Sequence, residues 1–260
     1  MTNKAVILAR GLGRRMRAEN DSAVLNAGQA EIAAQGIKTL MPIVGDKTLL
    51  DFIFERLSQA GFFEFCLVIG PEHYLIRDFC RKLNYDISFA VQDRPLGTAD
   101  AVLAAAGFPG DELFLVVNSD NLYPVSDLEK LRNLGQPGLI AFAKQSLIQK
   151  SNIDEEKINK FAVLDFDRDG LLTEILEKPE TTAKDAFISM NAWVFSPQIF
   201  TACRRIAPSS RGEYELADAV NYAIVNLDER FRAVFSSAGV LDLSSRADVE
   251  KVREKLSQNE

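Results

Sequence analysis

The chain has 260 residues, 47% hydrophobic and 26% charged, an ordinary globular composition with enough apolar residues for a sizeable core. Its net charge of −7 disfavours broad nucleic-acid binding, which needs a basic face. A single histidine, His73, disfavours Ser-His-Asp, Cys-His and His-rich zinc chemistry. Cys66, Cys80 and Cys203 stand apart in apolar surroundings with no CxxC pair, so free buried thiols in a reducing cytosol are expected. The apolar run at the start is too short for a signal peptide, and no later segment could span a bilayer. The expectation is a soluble cytoplasmic protein with no membrane partner.

In chain order, "AVILA" (5–9) reads as a strand and runs into "RGLGRRMR" (10–17), a glycine loop followed by three arginines. Residues 17–37 are Ala-rich, with Leu25 and Ile32 spaced to share a helix face. They read either as a helical insertion or as a mobile loop, and a helix there would be either a lid over a bound triphosphate or permanently packed. "TLLDFIFERLSQAG" (48–61) predicts a helix that buries Leu49, Phe52, Ile53 and Leu57 and stops at Gly61. "FCLVIG" (65–70), "ISFAV" (87–91), "LFLVVN" (113–118) and "LIAFA" (139–143) are short and apolar enough for strands buried on both faces. "IRDFCRKL", "TADAVLAAA" and "SDLEKLRNLG" are helical patterns in the gaps, the last with a Ser126 cap and a stop at Gly135. This alternation predicts an α/β fold with right-handed crossovers. Beyond it, "SNIDEEKINK" (151–160) reads as a polar surface loop. "KFAVLDFDRDGLLTEILEKP" reads as two strands around an Asp169-Gly170 turn, and "FISMNAWVF" as a strand with Trp193 in the core. "YELADAVNYAIVNL" is a helix, "RFRAVFSS" a strand and "SRADVEKVREKL" a closing helix.

The glycine loop fits neither common nucleotide motif. A dinucleotide fingerprint needs a third glycine where Met16 stands, and no G-x-x-x-x-G-K-[ST] run exists. Gly11 and Gly13 would let backbone amides approach phosphate oxygens, with arginines to bond them. "LARGLGRRM", "KTLMPIVGDKTLLDFIFERL", "VQDRPLGTADAV", "VVNSDNLYP", "EILEKP", "SMNAWVF", "GEYELADAV" and "VLDLSS" follow one another in this order. In these motifs the chain resembles the sugar-phosphate nucleotidylyltransferases, or NDP-sugar pyrophosphorylases, from Lys4 to about Lys251. The resemblance implies one α/β domain over 1–260 with a Rossmann-like mixed sheet flanked by helices. A nucleotide-binding part would cover about 1–145, a sugar-phosphate-binding part about 146–245 and a C-terminal helix about 246–257. It implies transfer of a nucleotidyl group from a nucleoside triphosphate to a sugar 1-phosphate with Mg²⁺, giving an NDP-sugar and pyrophosphate. Assembly as a homo-oligomer is left open.

The resemblance also assigns residues. Arg15 matches a loop arginine that contacts the leaving pyrophosphate. Arg14 stands where the family has Thr or Ser, and Arg10 where it has a small residue, so each either grips phosphate or reaches solvent. Lys38 aligns with a catalytic lysine that steadies the α-phosphate, with Ile37 replacing the family's proline. Asp120 follows a buried strand at its carboxyl end, where α/β sheets place ligands, and would hold Mg²⁺ together with Asp242. Gln92, Gly97 and Thr98 lie in the base-reading segment. Gln92 offers a donor and an acceptor, Gly97 allows close approach of the base, and together they favour UTP or dTTP. Asp100 suits the following helix's first turn. Glu177, Lys178 and Asn191 match contacts to the sugar and its phosphate, and Glu213 either reaches the sugar or caps a helix. No general base is needed, because a sugar phosphate is already an anionic nucleophile, and His73 is then incidental. Two rival readings are a non-catalytic regulatory homologue that binds nucleotide or sugar phosphate, and a cytidylyltransferase for a non-sugar phosphate such as phosphocholine.

Overall fold

Apolar runs of five or six residues separated by amphipathic helices can bury themselves only by lining up as a sheet covered on both faces. The computed structural model describes residues 1–18, 25–177 and 182–257 and has this architecture. β1 (Lys4–Leu8) leads through the glycine loop into the short α1 (Arg14–Arg17) and then α2 (Ala27–Gln35). A 3-10 turn, Lys38–Leu40, precedes the antiparallel pair β2 (Pro42–Val44) and β3 (Lys47–Thr48), which turns at Gly45 with φ 57°. The alternating part continues with α3 (Leu49–Gln59), β4 (Glu64–Ile69), α4 (Tyr74–Cys80), β5 (Asp86–Val91), α5 (Thr98–Ala104), β6 (Phe114–Asn118), β7 (Asn121–Leu122), α6 (Val125–Arg132) and β8 (Gly138–Ala143). Then come α7 (Lys144–Lys150), α8 (Glu155–Ile158), β9 (Ala162–Phe166), β10 (Leu172–Leu176), β11 (Phe187–Phe195), α9 (Gln198–Arg205), α10 (Leu216–Leu227), β12 (Arg232–Ser236), β13 (Leu241–Asp242) and α11 (Asp248–Ser257).

The main sheet runs β10-β9-β11-β6-β1-β4-β5, with β8 beside β11 and β12 beside β8. β6, β1, β4 and β5 are parallel, and β11 lies antiparallel to β6, β8 and β9. Ala5 and Ile7 of β1 join a core that includes residues of α3, α6 and α11, while Val6 joins the opposite core with α5, α9 and α10. β5 corrects one expectation: as the sheet edge it is alternately exposed and half-buried instead of buried on both faces. β11 pairs with β9 at its start and β6 at its end, and in the changeover Asn191 adopts φ 57°. The Tyr123 hydroxyl donates to the Met190 carbonyl at 2.6 Å and holds this kink. Trp193 is core, as expected. The three cysteines are free and buried, and burial pushes the Cys80 and Cys203 thiols up to about 12, which leaves them inert. Among the described residues no helix is long and apolar enough to cross a membrane.

Three local expectations change or sharpen. Ser126 does not cap α6; Pro124 occupies the cap position and Ser126 lies within the helix. Residues 151–160 are not a surface loop. Ser151, Ile153 and Ile158 are buried, and Asp154 caps α8 by accepting from the Lys157 amide at 2.8 Å. The described part of the 17–37 insertion is a packed helix. Asn26 and Gln29 form a capping box, Gln29 Nε2 donates to the Pro42 carbonyl at 2.9 Å, and Ala33 is fully buried. Leu25 and Ile32 both pack on the core, but Leu25 lies before the Asn26 cap, so the two do not share a helix face as expected. Residues 19–24 of that insertion lie outside the described residues.

Candidate active site

Parallel strands point their carboxyl ends one way, and there a cleft of about 440 Å³ opens. Four strand ends supply its wall: Asp120 after β6, the glycine loop after β1, His73 after β4 and Gln92 after β5.

At the β6 end Lys38 Nζ lies 2.7 Å from Asp120 Oδ2. Burial pushes the ammonium down, but the charge and hydrogen bond of Asp120 outweigh it. With Asp242 adding to them and Arg15 opposing, the Lys38 pKa stands above the ordinary lysine value, so it stays charged. The β7–β13 pair brings the second carboxylate alongside, and the Leu243 amide donates to the Asp120 carbonyl at 2.8 Å. Asp242 is buried. It accepts from Asn121 Nδ2 at 3.0 Å and Ser244 Oγ at 2.6 Å, and it pairs with Lys157. Asn152 clasps the Asp242 backbone from both sides, accepting from its amide at 2.8 Å and donating to its carbonyl at 2.7 Å. Burial and then the Asp120 charge push the Asp242 carboxyl up, against Lys157 and Ser244. Lys157 and Asn152 escaped the sequence reading because their segment is so polar; Ile153 and Ile158 were the signal that it packs inward.

The two loop glycines differ. A Cβ on Gly13, with φ 60°, would lie 2.0 Å from the Gly36 carbonyl oxygen. Gly13 therefore docks the loop closely on Gly36 at the end of α2, while still lining the cleft. Gly11 is exposed in the cleft with open space around it. Arg14 and Arg15 are exposed on the cleft wall. Arg10 departs from the solvent-exposed reading. It is 8% exposed, its Nε donates to the Gln92 carbonyl at 3.1 Å, and its Nη1 lies 2.8 Å from Glu72 Oε1. It thus does not reach into open solvent, though it lines the cleft.

At the β5 end Gln92 spends both Nε2 hydrogens inside the protein, on the Gly97 carbonyl at 3.0 Å and Asp100 Oδ2 at 2.7 Å. Its expected donor is therefore used, and Oε1 is what it can offer a ligand. A Cβ on Gly97, with φ 114°, would fall 2.5 Å from the Tyr214 carbonyl oxygen, so this glycine admits the segment before α10. Thr98 Oγ1 accepts from the Leu216 amide at 2.9 Å, taking the capping role open to Glu213. His73 is not incidental to the cleft. It is 7% exposed, Nδ1 accepts from the Gly70 amide at 3.2 Å, and burial pushes its pKa down, so the neutral ring carries its proton on Nε2.

Of the residues matched to the sugar, Glu213 lines the cleft, whereas Glu177 and Asn191 do not, and Lys178 lies outside the described residues. Arg211, passed over in sequence, pairs with Glu215 beside this segment. Its hydrogen bond to Glu215 at 2.6 Å and the charges of Glu213 and Glu177 hold its guanidinium above the ordinary value.

A family model described as nucleotidyl transferase matches residues 4–258. A low-salt glycan biosynthesis nucleotidyltransferase, Agl11 of Haloferax volcanii, is 31% identical over 84% of this chain and 56% of its own length. A glucose-1-phosphate thymidylyltransferase of Streptomyces antibioticus is 30% identical over 86% of this chain and 58% of its own. The chain thus spans little more than half the length of these two relatives. A crystal structure of UDP-glucose pyrophosphorylase with UDP-glucose superposes over 100% of both chains with a TM-score of 0.77 at 19% identity, a likeness of fold.

Proposed function

The chain belongs to the nucleotidyl transferase family, and from that premise we propose that it transfers a nucleotidyl group from a nucleoside triphosphate to a sugar 1-phosphate. The observation that carries this is the charged Lys38–Asp120 pair, set opposite an arginine-bearing glycine loop in one cleft. Lys38 steadies the α-phosphate, and Arg15 takes charge on the departing pyrophosphate, each in place before the reaction begins. A sugar-phosphate oxygen attacks the α-phosphorus as the bond to pyrophosphate breaks, and no side-chain base is required. The nucleotide occupies the part of the chain over about 1–145. The sugar phosphate lies toward Glu177, Asn191 and Glu213, and the sequence match adds Lys178 to its contacts.

Among the described residues no cluster of three His, Cys, Asp or Glu could hold a metal ion. Asp120 and Asp242 together still fit one. They are neighbouring hard-oxygen donors, and each raises the local negative charge that a divalent cation relieves. Mg²⁺ held there would take its other ligands from phosphate and water, and would supply charge neutralisation.

The test is pyrophosphate release with ATP, GTP, CTP, UTP and dTTP against a panel of sugar 1-phosphates, with and without Mg²⁺. Release with at least one pair is expected. Binding without release from any pair would instead make the chain a regulatory homologue, and release with phosphocholine alone would make it a cytidylyltransferase for a non-sugar phosphate.

A further inference from the structure

We propose that Arg246 is a positioning residue for the transfer reaction: from the segment that carries Asp242 it grips the backbone of α1, and so fixes Arg15 against the two carboxylates. The inference rests on the nucleotidyl-transfer reading and adds to it a residue that acts without touching substrate.

A helix of one turn cannot hold its own shape. α1 spans only Arg14–Arg17, and a helix leaves the carbonyls of its last turn without partners inside it. Arg246 serves two of them in succession. Its Nε donates to the Met16 carbonyl at 2.8 Å and its Nη2 to the Arg17 carbonyl at 3.3 Å. One attachment would let the turn roll about its axis. Two, from one planar guanidinium, set the roll, and with it the direction in which Arg14 and Arg15 leave the backbone. The inner side of the turn is fixed separately: Met16 is fully buried in the core, and Arg17 Nε donates to the Gln35 carbonyl at 3.3 Å. Arg14 and Arg15 are left exposed on the cleft wall, and Arg246 stands off it.

What Arg246 stands on matters as much as what it holds. It belongs to the stretch 242–248, which leads from Asp242 into α11. Asp248 knots this stretch, accepting from the Ser244 amide at 3.0 Å, the Ser245 amide at 2.8 Å and Ser245 Oγ at 2.9 Å. Toward its start the Leu243 amide donates to the Asp120 carbonyl, and Ser244 Oγ donates to Asp242 Oδ2. One short, tied segment is thus bonded to Asp120, to Asp242 and to the arginine turn. The transfer needs cations on the α-phosphate and on the departing pyrophosphate at one separation. A turn already held there loses little further freedom when a triphosphate arrives. Arg246 and Met16 are 230 residues apart, so nothing in the pattern around the glycine loop reveals the clamp.

The test compares wild type with Arg246→Ala, Arg246→Lys, Arg15→Ala and the Arg15→Ala/Arg246→Ala double variant. Calorimetric binding of inorganic tripolyphosphate and the kinetics of pyrophosphate release are the readouts, and circular dichroism and a melting curve check folding. Arg246→Ala should weaken tripolyphosphate binding about fivefold and lower kcat/KM for the triphosphate by about as much, with KM for the sugar 1-phosphate unchanged. Lysine can reach one carbonyl but not two, so Arg246→Lys should recover part of the loss. In the Arg15→Ala background Arg246→Ala should cost less than about twofold more, because the group it positions is gone. Losses that multiply in full would make Arg246 an independent phosphate ligand and overturn the proposal. A lowered melting temperature with unchanged tripolyphosphate affinity and turnover would overturn it too, leaving only a structural cap. If Arg246→Ala does not fold, Arg246→Lys takes its place in both backgrounds, and an equal loss with and without Arg15 would overturn the proposal. Tripolyphosphate binding by wild type with no pyrophosphate release from any pair would overturn the nucleotidyl-transfer reading, and the clamp then stands or falls on the binding arm. Wild type that neither binds nor releases would overturn both.

Discussion

The two ends of the cleft sit on one sheet with β1 between them, and they lean on different chemistry. At the β6 end charges answer charges: Lys38 pairs with Asp120, and Lys157 with Asp242. At the β4–β5 end one ion pair, Arg10 with Glu72, sits among directional hydrogen bonds: Gln92 on the Gly97 carbonyl, Arg10 on the Gln92 carbonyl and the Gly70 amide on His73. Coulomb attraction tolerates rotation and distance, so the first end suits phosphates and a cation in a range of poses. Hydrogen bonds fail when donors and acceptors are exchanged, so the second end discriminates. Substitutions at the ionic end should therefore cost stability or turnover with every substrate. Substitutions at the other end should change selectivity and pH response.

The largest effect tests whether the ionic end depends on its internal counter-ions. Lys157→Met leaves the buried Asp242 without its ammonium and should cost about 3 kcal/mol of stability, read by urea denaturation. Pairing it with Asp242→Asn should recover part of the loss. No loss from Lys157→Met would mean that Asn121, Ser244 and Asn152 suffice to hold Asp242. Next, Asp120→Asn should cut turnover about 10²-fold or more, with the melting temperature nearly kept, since this carboxylate is 26% exposed against 5% for Asp242. Near-normal turnover at limiting Mg²⁺ would break the parallel between the two carboxylates.

A smaller difference separates the loop arginines. Arg15→Ala should lower kcat/KM about tenfold, as expected for a charged hydrogen bond to phosphate, and Arg14→Ala distinctly less. Equal losses would mean that the exposed arginines act only as a diffuse field. The smallest effect belongs to the directional end. Burial holds the folded His73 pKa below its ordinary 6.5, so the unfolded chain takes up a proton first. The stability from neutral His73 is full above the unfolded value and is lost as pH falls through the folded one. His73→Gln should flatten melting temperature against pH between about 7 and 5; an unchanged slope would place the acid sensitivity elsewhere.

Much of this molecule can be read along the chain. Five apolar runs, helices with one apolar face, and glycines at turns are local signals, because burial and backbone strain act within a few residues. They predict the parallel half of the sheet, the Asp169-Gly170 turn, and Asp120 at a strand's carboxyl end. Gly45, Gly61 and Gly135 all adopt positive φ. What local pattern could not reveal is where a polar side chain spends its hydrogen bonds. Gln92 offers a donor and an acceptor on paper, yet both its hydrogens are taken by residues five and eight positions away. Gly13 has the look of a phosphate-loop glycine, yet its bare Cα is needed by Gly36. Arg10 leaves its loop for a strand end 82 residues on. The segment 151–160 has the composition of a solvated loop and instead supplies Lys157 and Asn152 to Asp242. Composition and periodicity by themselves determined an α/β chain with an acidic strand end and a cationic loop. Only the tertiary structure decided which charges meet and which polar groups are already partnered, because those depend on how the folded side chains are turned toward one another, with partners as near as five residues or as far as 82 along the chain.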